Sequence, residues 1–169
     1  MQRLRTERLT FHHWTPADLD DAVALWSDPQ VMAKLGGALS REQIASRLQR
    51  EIDSQAQHRL QYWRLTTVSE SFIGCCGLKL TPLDEGRRVV TEMGFHLLPS
   101  AWGRGYATEA ARAAVGYAFG ELGAPEVYSG HHPDNHASSR VLGKLGFERI
   151  GELFYAPTGL MHPWYCCYR

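Results

Sequence analysis

The sequence has no excess of either charge: 18 Lys and Arg stand against 18 Asp and Glu in 169 residues, a formal net charge of zero. Holding a duplex backbone takes several concentrated cationic contacts, so nucleic acid is not the expected partner. Nowhere do about 18 apolar residues run together as a membrane span requires. The opening Met1-Gln2-Arg3-Leu4-Arg5 also has no apolar stretch of signal-peptide length. A cytoplasmic protein without membrane contact is the expectation. Cysteine is scarce, four residues in two adjacent pairs, Cys75-Cys76 and Cys166-Cys167. Neighbours on a strand point to opposite faces, which suits neither zinc nor a disulfide framework, and reduced structural thiols are expected. His12-His13 and His131-His132 lack the one-face spacing of a helical metal pair. Exposed or core-satisfied rings, and no metal, follow. Repeats, linkers and low-complexity segments are missing too, so residues 1–169 read as one domain, large enough to bury roughly two thirds of its unfolded surface.

What is present is ordinary globular material, 44% apolar and 21% charged. Leu4 through Trp14 alternates as a first strand with Leu9 and Phe11 on one face. Thr15 and Pro16 then open a helix with Leu19, Val23 and Trp26 at helical spacing, stopped by Asp28-Pro29. Ser40 to Ser54 repeats the design, with Ser40 and Gln43 spaced as a capping box and Ile44, Leu48 and Ile52 in one stripe. From Gln61 the period becomes two, predicting an antiparallel meander of strands near Tyr62 to Val68, Phe72 to Leu80 and Val89 to Leu98. A long amphipathic helix follows, with Ala107, Ala110, Ala111, Ala114, Val115, Ala118 and Phe119 along one face before Gly120 and Gly123. Glu126 to Gly130 is a short strand, reached through that helix by the crossover expected between parallel neighbours. Asn135 to Leu145 forms a helix capped by Asn135 and closed by Gly146, and Phe147 to Tyr155 with Leu160 to Tyr168 adds a hairpin.

Between the third meander strand and the long helix stands Trp102-Gly103-Arg104-Gly105-Tyr106-Ala107. A helix N-terminus offers amides without intrahelical acceptors and a partial positive charge, so a diphosphate placed there meets ready donors. Gly103 and Gly105 let the backbone approach closely and take positive φ, and Arg104 adds a charge. A nicotinamide-type site also puts glycines between strand and helix with an acid about 20 residues on. Here, however, Thr108 takes the third glycine position, Glu126 begins its strand rather than ending it, and no second parallel repeat follows.

Taken in order, several segments resemble the GNAT superfamily of acyl-CoA N-acyltransferases, in particular its ribosomal-protein alanine acetyltransferase-like branch. They are Thr6-Glu7-Arg8-Leu9 and Asp28-Pro29, Glu92-Met93-Gly94-Phe95 through Pro99, Trp102 to Glu109, and Asn135, Ser138, Leu145, Gly146 and Phe147. The resemblance implies a mixed α/β fold with a mostly antiparallel sheet of six to seven strands, a central parallel pair that splays open, and about four helices. It implies acetyl-CoA as co-substrate without a metal, its pantetheine arm against backbone near His96, Leu97 and Leu98. The pyrophosphate then meets amides from Gly103, Arg104, Gly105, Tyr106, Ala107 and Thr108, and Asn135 holds the cofactor arm. Many members carry a tyrosine seven residues after this asparagine that protonates the departing thiolate. Here that position is Leu142, and Ser138 matches the serine that the alanine branch is thought to use as the acid.

Acetyl transfer to an amine needs a deprotonated nucleophile, a polarised carbonyl and a proton for the thiolate. Glu92, which shares a strand face with Gly94 and His96, is the base expected from the alternation, or else a solvated structural glutamate. Backbone N–H beside His96 or Leu97 polarises the carbonyl. Ser138 serves as acid or as a first-turn cap, and Asn135 as cofactor contact, cap or both. Trp26, Met32, Tyr62, Trp63, Tyr155 and Trp164 belong to an acceptor pocket or to the core. The acceptor is a small-molecule amine or a protein N-terminus, and the resemblance suggests a monomer or homodimer. A non-catalytic acyl-CoA-binding module or sensor, and a pure interaction domain, are the competing readings.

Overall fold

A computed structural model describes residues 4–169, so Met1, Gln2 and Arg3 of the opening segment lie outside the described residues. Seven strands form one sheet: β1 Leu9–His12, β2 Tyr62–Thr67, β3 Phe72–Leu83, β4 Arg88–Leu97, β5 Glu126–Gly130, β6 Glu148–Tyr155 and β7 Leu160–Tyr168. Their order is β1-β2-β3-β4-β5-β7-β6, with β4 and β5 parallel and every other neighbouring pair antiparallel. Five helices accompany them: α1 Leu19–Trp26, α2 Pro29–Met32, α3 Arg41–His58, α4 Tyr106–Gly120 and α5 His136–Lys144. This is the mixed α/β sheet with a central parallel pair that the sequence predicts, with one helix more than the four expected.

The extra helix comes from Asp28-Pro29. The pair stops α1, but the Asp28 carboxylate also accepts from the N–H groups of Gln30 and Val31, at 2.8 and 3.0 Å, and Pro29 takes the first helical position. One dipeptide therefore ends one helix and starts the next. In front of α1, Pro16 to Asp18 make a 3₁₀ turn, and the Asp18 carboxylate accepts from the Thr15 N–H at 2.8 Å. The Ser40–Gln43 capping box is present as expected, and α3 runs one turn past Ser54 to His58. The first strand is shorter than the alternation suggests. Thr6 N–H donates to the Leu9 carbonyl and Phe11 N–H to that of Leu4, so residues 4–8 double back on β1.

Strand alternation separates two cores. On one face Leu9, Phe11, Leu65, Cys76, Leu78, Met93 and Val127 pack under Ala110, Ala111, Ala114 and Ala118 of α4, whose small side chains allow close approach to the sheet. On the other face Tyr62 and Cys75 pack against Ala22, Leu25 and Trp26 of α1, Met32 of α2, and Ile44 and Leu48 of α3. Cys75 and Cys76 are both buried and free, one in each core. A third cluster of Val90, Tyr128, Trp164 and Cys166 continues the second face across β5 and β7.

Candidate functional site

The sheet opens between its two parallel strands. β4 and β5 share a single register pair, Glu92 with Tyr128, although β4 continues to Leu97 and β5 to Gly130. Where the ladder stops, the Ser129 hydroxyl donates to the Met93 carbonyl at 2.9 Å. Strand residues alternate in the edge to which they direct their backbone groups. Met93, Phe95 and Leu97 therefore face the opening, and His96 and Leu98 face β3. The Leu98 N–H accordingly donates to the Ile73 carbonyl at 2.9 Å. Of the three residues expected against the cofactor arm, only Leu97 turns its amide toward the fork. Its carbonyl accepts from the Trp102 indole N–H at 2.7 Å, which pins the following turn. Residues 94–96 of this central strand are only partly buried, as the walls of a cleft are.

Past the fork, Gly103 and Gly105 have φ of +73° and +80°, the left-handed region that costs a glycine no Cβ clash. Gly105 is the N-cap of α4, and the first intrahelical bond runs from Glu109 N–H to the Gly105 carbonyl. Tyr106, Ala107 and Thr108 therefore present amides without intrahelical acceptors. Arg104 is exposed.

Sequence reasoning missed what holds this turn. The Glu109 carboxylate accepts from the Thr6 hydroxyl at 2.6 Å and the Arg8 backbone N–H at 3.0 Å, and pairs with the Arg8 guanidinium at 2.6 Å. Arg8 also donates to the Arg104 carbonyl at 3.0 Å and lies over the Tyr106 ring. Thr6-Glu7-Arg8 is legible only as part of the family resemblance, since its partner stands about a hundred residues away. An open cavity of about 790 Å³ adjoins the turn, lined in part by Arg8, Gly105, Thr108, Arg112 and Lys144. Arg112 and Lys144 are exposed there and form no ion pair among the described residues.

Burial raises the Glu109 pKa, but the hydrogen bonds from Thr6 and Arg8 and the Arg8 charge outweigh it and leave the carboxyl below its ordinary value. A folded-state pKa lowered this way contributes stability above the unfolded value of about 4.3, lost as pH falls through the folded one. Glu109→Gln is expected to cost about 1 kcal/mol at pH 7, a figure discounted for the solvent around Arg8. The cost should shrink toward zero in acid, as denaturant unfolding of both proteins across pH will measure.

On the face toward α1 and α3, Glu92 is largely buried, with 13% side-chain exposure. It pairs with Lys79 at 3.1 Å and accepts from the Thr81 hydroxyl. Both the expected base role and the structural role thus start from an anchored carboxylate. Tyr62 lies across the same face with its hydroxyl tip against Gly94, and its ring meets that of His96 at an angle of 66° with centroids 5.6 Å apart. The Glu51 carboxylate of α3 accepts from the Tyr62 N–H at 2.8 Å, and burial raises its pKa. Of the residues left between pocket and core, Trp26 and Met32 are buried under this face, and Trp63 packs edge-on against Tyr117 beneath α4. Tyr155 and Trp164 sit on the final hairpin, the first against His162 and the second stacked on Tyr128.

Asn135 caps α5 by accepting from the Ser138 N–H at 3.2 Å, and the Asn135 amide nitrogen and the Ser138 hydroxyl have no hydrogen-bond partner among the described residues. Leu142 is 1% exposed and belongs to the core cluster beneath α4. His131 is satisfied within the protein, by the His132 carbonyl and the Tyr165 hydroxyl. Among the described residues no group of three or more His, Cys, Asp or Glu is placed to hold a metal, and no helix is long and apolar enough to cross a membrane.

Residues 8–148 match the family model described as an acetyltransferase (GNAT) domain. An uncharacterized N-acetyltransferase, p20, of Bacillus licheniformis is 28% identical over 159 residues, covering 90% of this chain and 86% of its own. The crystal structure of an acetyltransferase from Agrobacterium tumefaciens superposes with a TM-score of 0.84 at 24% identity, covering all of this chain and 95% of that one. RimL, a ribosomal L7/L12 alpha-N-protein acetyltransferase solved in complex with coenzyme A, superposes with a TM-score of 0.76 at 13% identity, covering 99% of this chain and 98% of that one.

Proposed function

This chain belongs to the GNAT acetyltransferase family and is an N-acetyltransferase, and from that premise we propose that it moves an acetyl group from acetyl-CoA to a primary amine by direct attack in a ternary complex. The observation that carries the reading is the continuity of the fork with the turn. The opening beside Leu97 leads past Trp102 to the free amides of Tyr106, Ala107 and Thr108. A long ligand with an acyl thioester at one end and a pyrophosphate at the other fits that order. The amides from Gly103 to Thr108 bind the pyrophosphate. Arg8, Arg112 and Lys144 face further phosphate charge in the adjoining cavity, and the amide of Asn135 holds the arm on the β5 side.

In the reaction the amine nitrogen bonds to the acetyl carbon and the carbon–sulfur bond breaks. The amine gives up a proton and the thiolate gains one. Glu92 takes the amine proton, directly or through water, and the Leu97 N–H polarises the carbonyl. Ser138 supplies the thiolate proton, a light demand because a thiol of pKa near 8.5 already leaves readily. The chain works as one domain over residues 1–169 in the cytoplasm, as a monomer or homodimer. The acceptor is a small-molecule amine or a protein α-amine. The buried Leu142, in place of a proton-donating tyrosine, favours a second reading, an acyl-CoA sensor without turnover.

Thermal unfolding with coenzyme A and thiol release over an amine panel separate the two. Coenzyme A at 100 times its Kd is expected to add about 2.7 kcal/mol, a Tm rise of about 5–10 °C. Thiol release should then depend on the amine supplied. Stabilisation without release on any α-amine or small amine would leave the sensor, and no stabilisation would leave an interaction domain.

A further inference from the structure

Two polar groups beside the fork have no part in the assignments above, Tyr62 Oη and His96 Nε2. Neither has a hydrogen-bond partner among the described residues, where the sole unpartnered side-chain polar atom sealed from solvent is Trp164 Nε1. Tyr62 is otherwise 6% exposed, so its uncommitted hydroxyl meets accessible space from within a packed wall. Both rings lie on one face of the sheet, their centroids 5.6 Å apart, and Tyr62 seats its hydroxyl tip against Gly94, where any side chain would displace it.

The protonation pattern of His96 follows from its neighbours. An indole N–H only donates, and that of Trp26 reaches His96 Nδ1 at 3.2 Å. Nδ1 therefore presents its lone pair, and the ring proton resides on Nε2. The Cys75 sulfur faces the same nitrogen at 3.8 Å. Burial pushes that thiol up to about 12, so it too is a donor. Burial, with the charges of Arg47 and Lys79, holds the imidazole well below the ordinary histidine range. The titratable groups around this pair are Arg47 and Glu51 of α3, Cys75 and Lys79 of β3, Tyr62 of β2 and Glu92 of β4, and α1 contributes the Trp26 indole. Burial, followed by the charge of Glu92, also raises the Tyr62 phenol well above its ordinary value, keeping it an O–H.

We infer that His96, locked by Trp26 as an Nε2–H donor, acts with the Tyr62 hydroxyl to bind the oxygen on which negative charge builds when the amine attacks the acetyl carbonyl. This rests on the acetyl-transfer reading. The amine lone pair forms the new carbon–nitrogen bond while the carbonyl pair moves onto oxygen. That pair returns as the carbon–sulfur bond breaks, and the thiolate then takes up its proton. His96 and Tyr62 keep their own protons throughout, so His96 is a donor and not the base. Preorganised donors gain most at the atom where charge develops, and the Leu97 N–H approaches the same oxygen from the strand edge.

Imidazole ¹⁵N spectra of the wild type at pH 7 are expected to show His96 neutral with its proton on Nε2, and Trp26→Phe should admit the Nδ1–H form. His96→Phe should lower kcat by about 10²-fold, as loss of one such donor does elsewhere, with KM for acetyl-CoA within about threefold. His96→Gln, which keeps a side-chain N–H, should recover about tenfold of that loss. An imidazolium or an Nδ1–H tautomer at pH 7, or a His96→Phe enzyme with undiminished kcat, overturns the inference and leaves acetyl transfer intact. No turnover by the wild type on any amine overturns acetyl transfer, and with it the oxygen as the partner of His96, whatever the tautomer.

Discussion

Glu92→Gln is expected to lower kcat at pH 7 by about 10²–10³-fold, with KM for acetyl-CoA nearly unchanged. The substitution keeps an oxygen to accept from Thr81 and nearly the same volume, and it removes only the basicity and the charge facing Lys79. Lys79 is 46% exposed, so breaking its ion pair costs under about 1 kcal/mol and the fold survives. The kinetic effect is then chemical. An α-amine of pKa near 8 is about nine-tenths ammonium at pH 7, so reaction through the free fraction alone accounts for about tenfold of the loss, and the missing proton acceptor in the transition state accounts for the rest. The deficit should narrow toward pH 9, where the amine is already neutral. A Gln variant with wild-type kcat at pH 7 would instead make Glu92 a structural partner of Lys79 and Thr81.

What the sequence discloses and what it conceals divide by the range of the interaction. The alanine face of α4, the capping box at Ser40 and the limits of β5 depend on near neighbours, and the structure reproduces them. Gly103 and Gly105 belong to the same class, since the positive φ of each is set within its own turn. The alternation of β4 likewise puts Glu92, Gly94 and His96 on one face, but it says nothing of the opposing strand. Lys79 and Thr81 commit the carboxylate from β3. The clasp of Arg8 on Glu109, the Ser129 bond to the Met93 carbonyl that closes the ladder and the Trp26 contact to His96 join residues 101, 36 and 70 positions apart. Such contacts have no period, and only the folded sheet brings them together. The first strand fails for the same reason: Leu4 to Arg8 alternates well enough locally, yet Thr6 and Arg8 are drawn to Glu109.

Gly94→Ala is expected to destabilise the protein by about 1–3 kcal/mol and to lower kcat with it. Elsewhere in a strand, alanine gains about 0.5–1 kcal/mol over glycine, because glycine loses more freedom on folding. Here the neighbour reverses the sign. A Cβ built on Gly94 falls closest to the Tyr62 hydroxyl oxygen and 2.7 Å from Cζ, both closer than a methyl group tolerates, with Cε2 tight at 3.1 Å. The ring has little room to recoil, because Tyr62 sits in the core under α1 and α3 and its backbone is tied to Glu51. Strain and a displaced hydroxyl therefore come together. Thermal unfolding should show Tm lower by about 2–10 °C. Tyr62→Leu removes the ring tip that meets the new methyl group, so Gly94→Ala should cost little in that background, with a coupling of about 1–2 kcal/mol in the double-mutant cycle. Restored stability without restored kcat would then separate packing from chemistry, leaving the Tyr62 hydroxyl as the group the reaction misses. An alanine at 94 that leaves both Tm and kcat unchanged would show that the ring slides aside freely and that the glycine is no part of the site.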